Sequence, residues 1–369
     1  MLNSTDVFVI GGGPAGLAAA IAARQQGLRV AVADGTTPPI DKACGEALMP
    51  DAIAALERLG VSVPAADTFP LRGVRFLSSG VSAEAVFPSG LCGLSVRRTT
   101  LHSFMIERAT ALGVDLLWQS VVTRISNGEV EIGGSKIRSR WIVGADGVSS
   151  RVRRWANLDA HSRTGLRYAF RRHYRVPPWT DRMEIYWGKH SQGYANPVSN
   201  KEVCVAVASH NPGLRLENSL AAFPELNARL RGVDAASVER GAISANRKLQ
   251  RIWRGNVALI GDASGTVDAI TGEGLGLSFT QAVVLADCLK SGNLARYQSA
   301  HRRLALRPLL MARLMLMLDG RPGFQKRALR VFRRRPEIFR RLLALHVGTL
   351  SPLHLAFDGL TLGWELLTA

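Results

Sequence analysis

The stretch that decides the fold is "VFVIGGGPAGLAAAIAARQQGLRVAVAD", residues 7–34. It opens with an apolar run typical of a strand buried on both faces of a parallel sheet. Residues 14–26 are rich in helix formers, and residues 29–34 predict a second strand. The spacing G-x-G-x-x-G between the first strand and the helix is formed by Gly11, Gly13 and Gly16. The stretch therefore predicts a β-turn-α-β unit of the Rossmann type.

This glycine pattern indicates a loop that binds the pyrophosphate of a dinucleotide. Gly11 permits the tight turn, Gly13 lets the backbone approach the pyrophosphate, and Gly16 lets the helix pack on the strand. The helix N-terminus offers N–H groups and a positive dipole end to the phosphates. Asp34, at the end of the second strand, has the position of the acid that binds a ribose 2′-hydroxyl. Its charge disfavours a 2′-phosphorylated dinucleotide, but the pattern alone does not separate NAD from FAD.

The composition is that of a globular chain with a strongly basic C-terminal part. Of the 369 residues 47% are hydrophobic and 21% are charged, and the net charge is +18. Segment 321–341 contains nine Lys/Arg and one acid, Glu337, as counted from the sequence. It can be a solvated helical face, a nucleic-acid patch, or a contact with anionic membrane or an acidic carrier partner. Interleaved apolar residues favour a membrane surface over nucleic acid, so we expect no nucleic-acid partner.

Cysteine usage and hydropathy point to a cytoplasmic protein that at most binds a membrane surface. Cys44, Cys92, Cys204 and Cys288 form no C-x-x-C pair and do not resemble a disulfide framework. The sequence shows no signal-peptide pattern and no apolar run of spanning length. Cys and His do not cluster along the chain, so we expect no metal site.

Two later motifs place glycines and an acid after apolar strands. The first is "RWIVGADGVSSRVRR", residues 140–154, and the second is "VALIGDASGTVDAITGEGLG", residues 257–276. The three motifs, in this order, resemble those of p-hydroxybenzoate-hydroxylase-like flavoproteins. The resemblance implies FAD as the cofactor. It places Asp146 near the riboses or pyrophosphate with Arg153 close by, and it implies that Asp262 binds the ribityl chain.

A closer resemblance is to the geranylgeranyl-reductase-like branch of that superfamily. Lys42, Cys44, Gly45 and Glu46 match its early K-x-C-G-E pattern, and residues 271–274 match its late T-G-E-G pattern. The resemblance places Arg98 at FAD and leaves Arg97 as a solvated neighbour, and it makes Glu273 a residue that fixes the loop. The implied FAD contacts are Gly11, Gly13, Ala15, Gly16, Asp34, Cys44, Gly45, Arg98, Val122, Asp146, Gly147, Gly261, Asp262, Gly272, Gly274 and Leu275.

The resemblance also implies the architecture, an α/β fold with a Rossmann-like FAD-binding domain of glutathione-reductase type. We expect this domain to be discontinuous, made of residues 1–70, 96–160 and 250–291. An inserted β-sheet substrate domain takes residues 71–95 and 161–249. A basic helical C-terminal region takes residues 292–369.

The reaction depends on "QGYANPV", residues 192–198, where the lipid reductases carry an aromatic Y-x-W-x-F-P stretch. Gln192 and Asn196 stand in place of rings, which favours a smaller polar substrate, with Tyr194 and Asn196 as its contacts. We therefore expect an NAD(P)H-dependent monooxygenase that hydroxylates an aromatic or polyketide-like small molecule through a flavin C4a-hydroperoxide. The alternatives are a C=C reductase of an isoprenoid or lipid and a non-catalytic flavoprotein.

Few side chains are expected to act as catalysts, because the flavin carries the chemistry. Cys44 is the first candidate, and an ordinary buried apolar position is its competing interpretation. Glu46 is the second candidate, against a plain loop position. Tyr186 and Trp187 are expected to pack the substrate-domain sheet.

Overall fold

The computed structural model describes residues 2–351. Its strands are β1 (Ser4–Ile10), β2 (Val30–Ala33), β3 (Ala47–Leu48), β4 (Phe69–Leu71), β5 (Gly73–Ser78), β6 (Val81–Val86), β7 (Gly93–Ser95), β8 (Asp115–Leu117), β9 (Val122–Ser126), β10 (Glu129–Ile132), β11 (Ser135–Gly144), β12 (His161–Tyr174), β13 (Arg182–Trp187), β14 (Ser191–Ser199), β15 (Glu202–Ser209), β16 (Arg240–Leu249), β17 (Trp253–Arg254) and β18 (Val257–Leu259). Its helices are α1 (Pro14–Gln25), α2 (Pro50–Leu59), α3 (Arg98–Ala111), α4 (Arg151–Trp155), α5 (Leu216–Ser219), α6 (Pro224–Leu230), α7 (Gly274–Ser291), α8 (Leu294–Leu318), α9 (Pro322–Arg334) and α10 (Pro336–His346).

The first sheet is the Rossmann-like one and runs in the order β17-β18-β11-β1-β2-β8. Its central pairs β18–β11, β11–β1, β1–β2 and β2–β8 are all parallel. The register pairs Ile10 with Gly144 and Gly144 with Leu259, so β1, β11 and β18 end side by side. Parallel strands of an open α/β sheet bind ligands outside their carboxyl ends. The three motifs follow these three strand ends.

The second sheet has the order β16-β12-β15-β14-β13-β5-β6 and is covered on both faces. Helices α5 and α6 pack on one face, where Leu216 and Leu226 are buried. Helices α9 and α10 pack on the other face, where Leu329 and Phe339 are buried. Within residues 2–351 the α/β architecture with a helical C-terminal region is as expected. Residues 352–369 of the expected helical region lie outside the described residues.

Two segments differ from the sequence interpretation. Segment 71–95 was expected to join the substrate sheet as a whole, but β7 pairs with β3 and β4 in a separate three-stranded sheet. Residues 240–249, whose sequence shows no clear strand alternation, form the edge strand β16. Its antiparallel pairing with β12 stabilises it, and this long-range contact leaves no local signal.

The basic segment 321–341 uses its apolar residues inside the protein. Leu329 and Phe332 of α9, and Phe339 of α10, are buried against the second sheet. These apolar residues are therefore not available for contact with a membrane. None of the helices within residues 2–351 is long and apolar enough to cross a bilayer.

Candidate functional site

The three motifs meet at one edge of the first sheet through close backbone packing. A Cβ added to Gly11 would lie 2.4 Å from the carbonyl oxygen of Ala145, beside the second motif. A Cβ added to Gly261, at the start of the third motif, would lie 2.7 Å from Cβ of Ala15. Glycine is therefore required at both places, and the motifs form a single cleft.

The glycine loop leaves its phosphate-binding face open. A Cβ at Gly16 would lie 1.8 Å from the carbonyl oxygen of Gly11, so that glycine is needed for helix packing. A Cβ at Gly13 would meet nothing within 4 Å, and its φ of −71° suits any residue. Gly13 precedes α1, whose N-terminus has no side-chain cap. The N–H groups there are available to an anion.

Asp34 lies beside this loop as the spacing predicted. Its Oδ2 accepts a 2.7 Å hydrogen bond from the Gly12 amide, and its Oδ1 accepts one from the Thr36 hydroxyl at 2.6 Å. Trp118 and His102 also hold the loop, although no sequence motif pointed to them. The ring of Trp118 lies against Gly12, and Nε2 of buried His102 lies 2.7 Å from the Gly12 carbonyl oxygen.

The Asp146 carboxylate is used locally. It accepts hydrogen bonds from the Ser150 hydroxyl at 2.5 Å and from the backbone amides of Arg151 and Val152, at the start of α4. Gly147 stays open, because a Cβ there would meet nothing within 4 Å. Arg153, expected close to the cofactor, is buried and points inward to Asp159 and to the carbonyl oxygen of Ala263. It therefore joins the second and third motifs.

The Cys44–Glu46 loop lines the same cleft from the second sheet's side. Gly45 is exposed, and Asn196 donates a 2.7 Å hydrogen bond to its carbonyl oxygen. Loss of hydration raises the pKa of the Cys44 thiol, which keeps it protonated at neutral pH. A protonated thiol is a poor nucleophile, so the catalytic role of Cys44 stays a prediction.

Glu46 is buried at a φ of +62°, and its carboxylate is fully engaged. It accepts a 2.9 Å hydrogen bond from the Arg98 amide and lies 2.6 Å from Nε2 of His173. Arg97 and Arg171, which can only donate, both lie 3.2 Å from Nδ1 of His173. Nδ1 must accept, so Nε2 carries the proton that His173 donates to Glu46. This network fixes the loop, and both carboxylate oxygens of Glu46 already have hydrogen-bond partners within the protein.

One sequence expectation fails in this network. Arg97 is not a solvated neighbour but is paired with Glu202 at 2.8 Å. Although Cys and His do not cluster along the chain, His173 and Cys204 face each other across β12 and β15 and lie close to Glu46. The surrounding guanidinium groups and the raised pKa of the buried Cys204 thiol oppose a cation there.

The family of the chain follows from residues 4–293, which match the FAD binding domain. The chain belongs to this FAD-binding family. It is 30% identical to the menaquinone reductase of Mycolicibacterium smegmatis, over 81% of this chain and 80% of that one. It is 27% identical to digeranylgeranylglycerophospholipid reductase 1 of Methanothermobacter thermautotrophicus, over 74% of each. A flavoprotein/dehydrogenase from Cytophaga hutchinsonii shares the fold, with a TM-score of 0.82, 19% identity and coverage of 94% and 93%. The expected branch is confirmed.

The residues of the three motifs and of the Cys44–Glu46 loop are compatible with FAD. A Cβ added at Gly13, Gly45, Gly147, Gly272 or Gly274 would meet nothing within 4 Å. Nε of Arg98 is buried and has no hydrogen-bond partner in the described part of the chain, so it is suited to an anionic group. Asp262 is exposed beside these positions, and α7 begins at Gly274 without a side-chain cap.

Two of the implied FAD contacts differ in setting. Leu275 lies in the first turn of α7, next to the cleft. Val122 is buried in β9 with the core of the first sheet, so its side chain packs inside the protein. At most its backbone can contact the cofactor.

The polar residues of β14 are partly engaged within the protein. Oε1 of Gln192 accepts hydrogen bonds from Arg167 at 3.0 Å and from the Tyr194 hydroxyl at 2.9 Å. Asn196 holds Gly45, as described above. Nε2 of Gln192 and Oδ1 of Asn196 are buried without a hydrogen-bond partner among the described residues, so a polar substrate contact there stays a prediction.

Arg167 connects β12 to the turn before α7. Its side chain and that of Asp268 are each 1% exposed, with 3.4 Å between Nη1 and Oδ1. Asp268 also accepts a hydrogen bond from the Ile270 amide at 3.0 Å. The pair thus fixes residues 269–271 against the second sheet.

We expect Arg167→Met to destabilise the protein by about 3–5 kcal/mol, because it leaves the Asp268 carboxylate buried without a cation. Chemical unfolding of the apoprotein measures this. The double variant Arg167→Met/Asp268→Asn should recover much of the loss, since no unpaired charge remains. A double variant no more stable than the single one would show that the pair is not the cause.

An apolar cavity begins at Ile270 and Thr271 and extends between the second sheet and α8, α9 and α10. Its empty volume is about 1110 Å³, including its open mouth. The side chains on this face of β13 are Met183, Ile185 and Trp187. Trp187, expected only to pack the sheet, lines the cavity and stacks on Phe76 at 4.7 Å. Tyr186 points to the other face, where it donates to Glu184.

Glu273 and His346 lie behind the cavity's inner end. Oε2 of Glu273 is 3.6 Å from Nδ1 of His346, and Oε1 is 3.7 Å from Nη2 of Arg307. Burial raises the pKa of Glu273 to about 8, with Asp51 adding to the rise and Arg307 and the Thr271 hydroxyl opposing it. Burial lowers the pKa of His346 to about 4. These shifts favour a protonated carboxyl beside a neutral imidazole near neutral pH.

Proposed function

We propose that the protein is an FAD-dependent reductase that saturates a C=C bond in an isoprenoid chain or a comparably long apolar chain. The observation that carries this proposal is the apolar cavity that begins at Thr271, next to the FAD cleft. Its lining is dominated by aliphatic, Met and aromatic side chains. Such a lining favours a hydrocarbon chain over a polar aromatic ring. The relatives named above, which act on menaquinone and on a geranylgeranyl lipid, support the same substrate class.

Monooxygenation is the weaker candidate. It rests on Gln192 and Asn196 standing in place of aromatic rings, with Tyr194 and Asn196 as the expected substrate contacts. One atom of each amide is hydrogen-bonded within the protein, which leaves only Nε2 of Gln192 and Oδ1 of Asn196 for a polar substrate. An apolar cavity that excludes water can also serve oxygen chemistry, so the two reactions need an experiment that separates them.

The chain's own contributions to a reduction can be assigned to residues. When bound and reduced, FAD would supply a hydride, which carries two electrons and one proton, with NAD(P)H as the proposed reductant. The N-terminus of α7 at Gly274 stabilises negative charge on the adjacent cofactor edge. Saturation of a C=C bond also consumes a proton. We assign its delivery to Glu273 through His346, which lines the inner end of the cavity with Thr271.

Reduced holoprotein should be reoxidised by a polyprenyl substrate, such as a menaquinone, in the strict absence of oxygen. The reason is that the substrate chain itself accepts the electrons. Stopped-flow recording of flavin absorbance measures this. Flavin that stays reduced until oxygen is admitted would contradict the reductase proposal.

A matched pair of variants tests the cavity. Met315 lines it and its neighbour Leu316 does not, although both are half-buried on α8. Met315→Trp should fill the cavity and slow substrate-dependent reoxidation about tenfold or more, whereas Leu316→Trp should leave it within about twofold. Equal effects of the two variants would mean that the substrate binds elsewhere.

A further inference from the structure

We propose that the cavity opens directly onto an anionic phospholipid bilayer, through a surface made by the outer face of α8 and the start of α9. We call this the mouth surface and define it by Leu306, Leu310, Leu314, Met317 and Phe324. Membrane binding by this surface stands independently of the reaction. Only the entry of substrate from the bilayer rests on the function proposed above.

The mouth surface exposes large apolar side chains on one side of the molecule. Leu306 is 64% exposed, Met317 60% and Phe324 40%. Leu306, Leu310, Leu314 and Met317 recur at helical spacing, so they form one stripe along α8. Leu310 and Leu314 are half-buried in that stripe. Removal of such a stripe from water lowers the free energy, so its burial against an apolar partner is favourable.

The opening of the cavity lies within this surface. Leu314, Met317 and Phe324 line the cavity, and Arg321 lies among them. Met317, Arg321 and Phe324 are at the same time exposed. An apolar chain that leaves the cavity at this point contacts the apolar side chains of the mouth surface and then the partner bound to that surface.

The charges around the surface indicate what covers it. Helices α8 and α9 contain no Asp or Glu. Arg302, Arg303 and Arg313 of α8 are exposed, and so are Arg327 and Arg330 of α9. Asp319, between the helices, is largely buried and faces His210 at 3.5 Å. Exposed apolar side chains enclosed by arginines suit lipid tails below a layer of phosphates.

A nucleic acid would use the arginines, but it takes up apolar side chains singly, between base steps or stacked on bases. A continuous stripe of aliphatic side chains along α8 suits the acyl region of a bilayer better. The occupant that satisfies both the charge and the apolar stripe is therefore an anionic bilayer. This assignment moves the membrane contact from the apolar face of α9, which is buried in the protein, to the outer face of α8.

Sedimentation of the full-length holoprotein with vesicles tests the proposal. The vesicles are phosphatidylcholine alone, or phosphatidylcholine with phosphatidylglycerol, each at low and high salt. We expect binding roughly tenfold or more tighter to the anionic vesicles, weakened but retained at high salt. Equal binding to both compositions, or no binding to either, would overturn the proposal.

The double variant Met317→Ser/Phe324→Ser removes apolar groups and keeps every charge. We expect it to lose vesicle binding by about tenfold. The matched control is Val238→Ser/Ile243→Ser, two residues of similar exposure, 64% and 54%, on and near the edge strand β16. Undiminished binding of the first variant would indicate a purely electrostatic contact, as with nucleic acid, and would overturn the proposal. An equal loss in the control would also overturn it.

The vesicle experiment needs no turnover, so its outcome is separate from that of the proposed reaction. Substrate dissolved in detergent micelles removes the need for entry from a bilayer. A protein that reduces such substrate but binds no vesicles keeps its proposed function and loses this inference. A protein that binds anionic vesicles but reduces no chain keeps the mouth surface and loses the reaction.

Discussion

Replacing Gly13 by Glu should abolish FAD binding while leaving the fold intact. A side chain at this position meets nothing within 4 Å in the unliganded chain, and its φ of −71° is ordinary for any residue. In the holoprotein we expect the same space to take the pyrophosphate. The glutamate would therefore occupy the phosphate site and repel its charge, for an expected loss of affinity of about 100-fold or more. The flavin absorbance of the purified protein and the melting temperature of the apoprotein measure the two effects.

The control for this variant is Gly323→Glu. Gly323 also has no neighbours within 4 Å and an ordinary φ, but it lies on α9, away from the cleft. It should keep its full complement of FAD. If Gly13→Glu were still to purify with bound FAD, the pyrophosphate would have to bind elsewhere and the assignment of the glycine loop would be wrong.

Replacing Glu273 by Gln should lower kcat about 100-fold with little change in the substrate KM. The amide keeps the size of the side chain but has no proton to give, and a general acid typically contributes this much or more. In the wild-type enzyme kcat should fall as pH rises through about 8, because the Glu273 carboxyl then loses the proton that it must donate. This fall is the alkaline limb of the pH profile. The variant should lack that limb. Steady-state kinetics between neutral and alkaline pH measure both.

Glu57→Gln provides the matched control, because Glu57 is exposed on α2 and takes part in no described ion pair. A Glu273→Gln enzyme with full activity and an unchanged alkaline limb would leave Glu273 with a structural role only.

Glu273 should also make the free energy of unfolding depend on pH. The folded-state pKa of Glu273 is raised, so its contribution to stability is present at acid pH and is lost as pH rises toward about 8. Glu273→Gln should therefore flatten the pH dependence of unfolding in that window.

The sequence predicted that the three motifs meet, because their signals are local. Gly11, Gly13 and Gly16 are dictated by a single turn and the helix after it. Ala145, which packs on Gly11, and Gly261, which packs on Ala15, follow buried parallel strands, and parallel strands bring their carboxyl ends to one edge. The family resemblance then converted these positions into an FAD site.

The rest of the site depends on contacts between distant segments. His173 contacts Glu46 only because β12 lies over the Cys44–Glu46 loop. The hydrophobic periodicity of the sequence does not predict this contact. His102 and Trp118 hold Gly12 from α3 and from the end of β8, again without a local signal. The role of Gln192 depends on whether Arg167 reaches it, which a strand pattern does not specify. The strand pattern therefore does not show which amide atoms remain for a substrate, and in the structure these are Nε2 of Gln192 and Oδ1 of Asn196.

The most direct measurement of the central claim is the mass of the product formed from a polyprenyl substrate, with and without oxygen gas labelled with the heavy isotope. Reduced holoprotein should give, under strict anaerobiosis, a product heavier than the substrate by two hydrogens. It should give the same product, without heavy oxygen, when the labelled gas is present. A product that forms only in the presence of oxygen and carries one heavy oxygen atom would contradict the account and identify the protein as a monooxygenase.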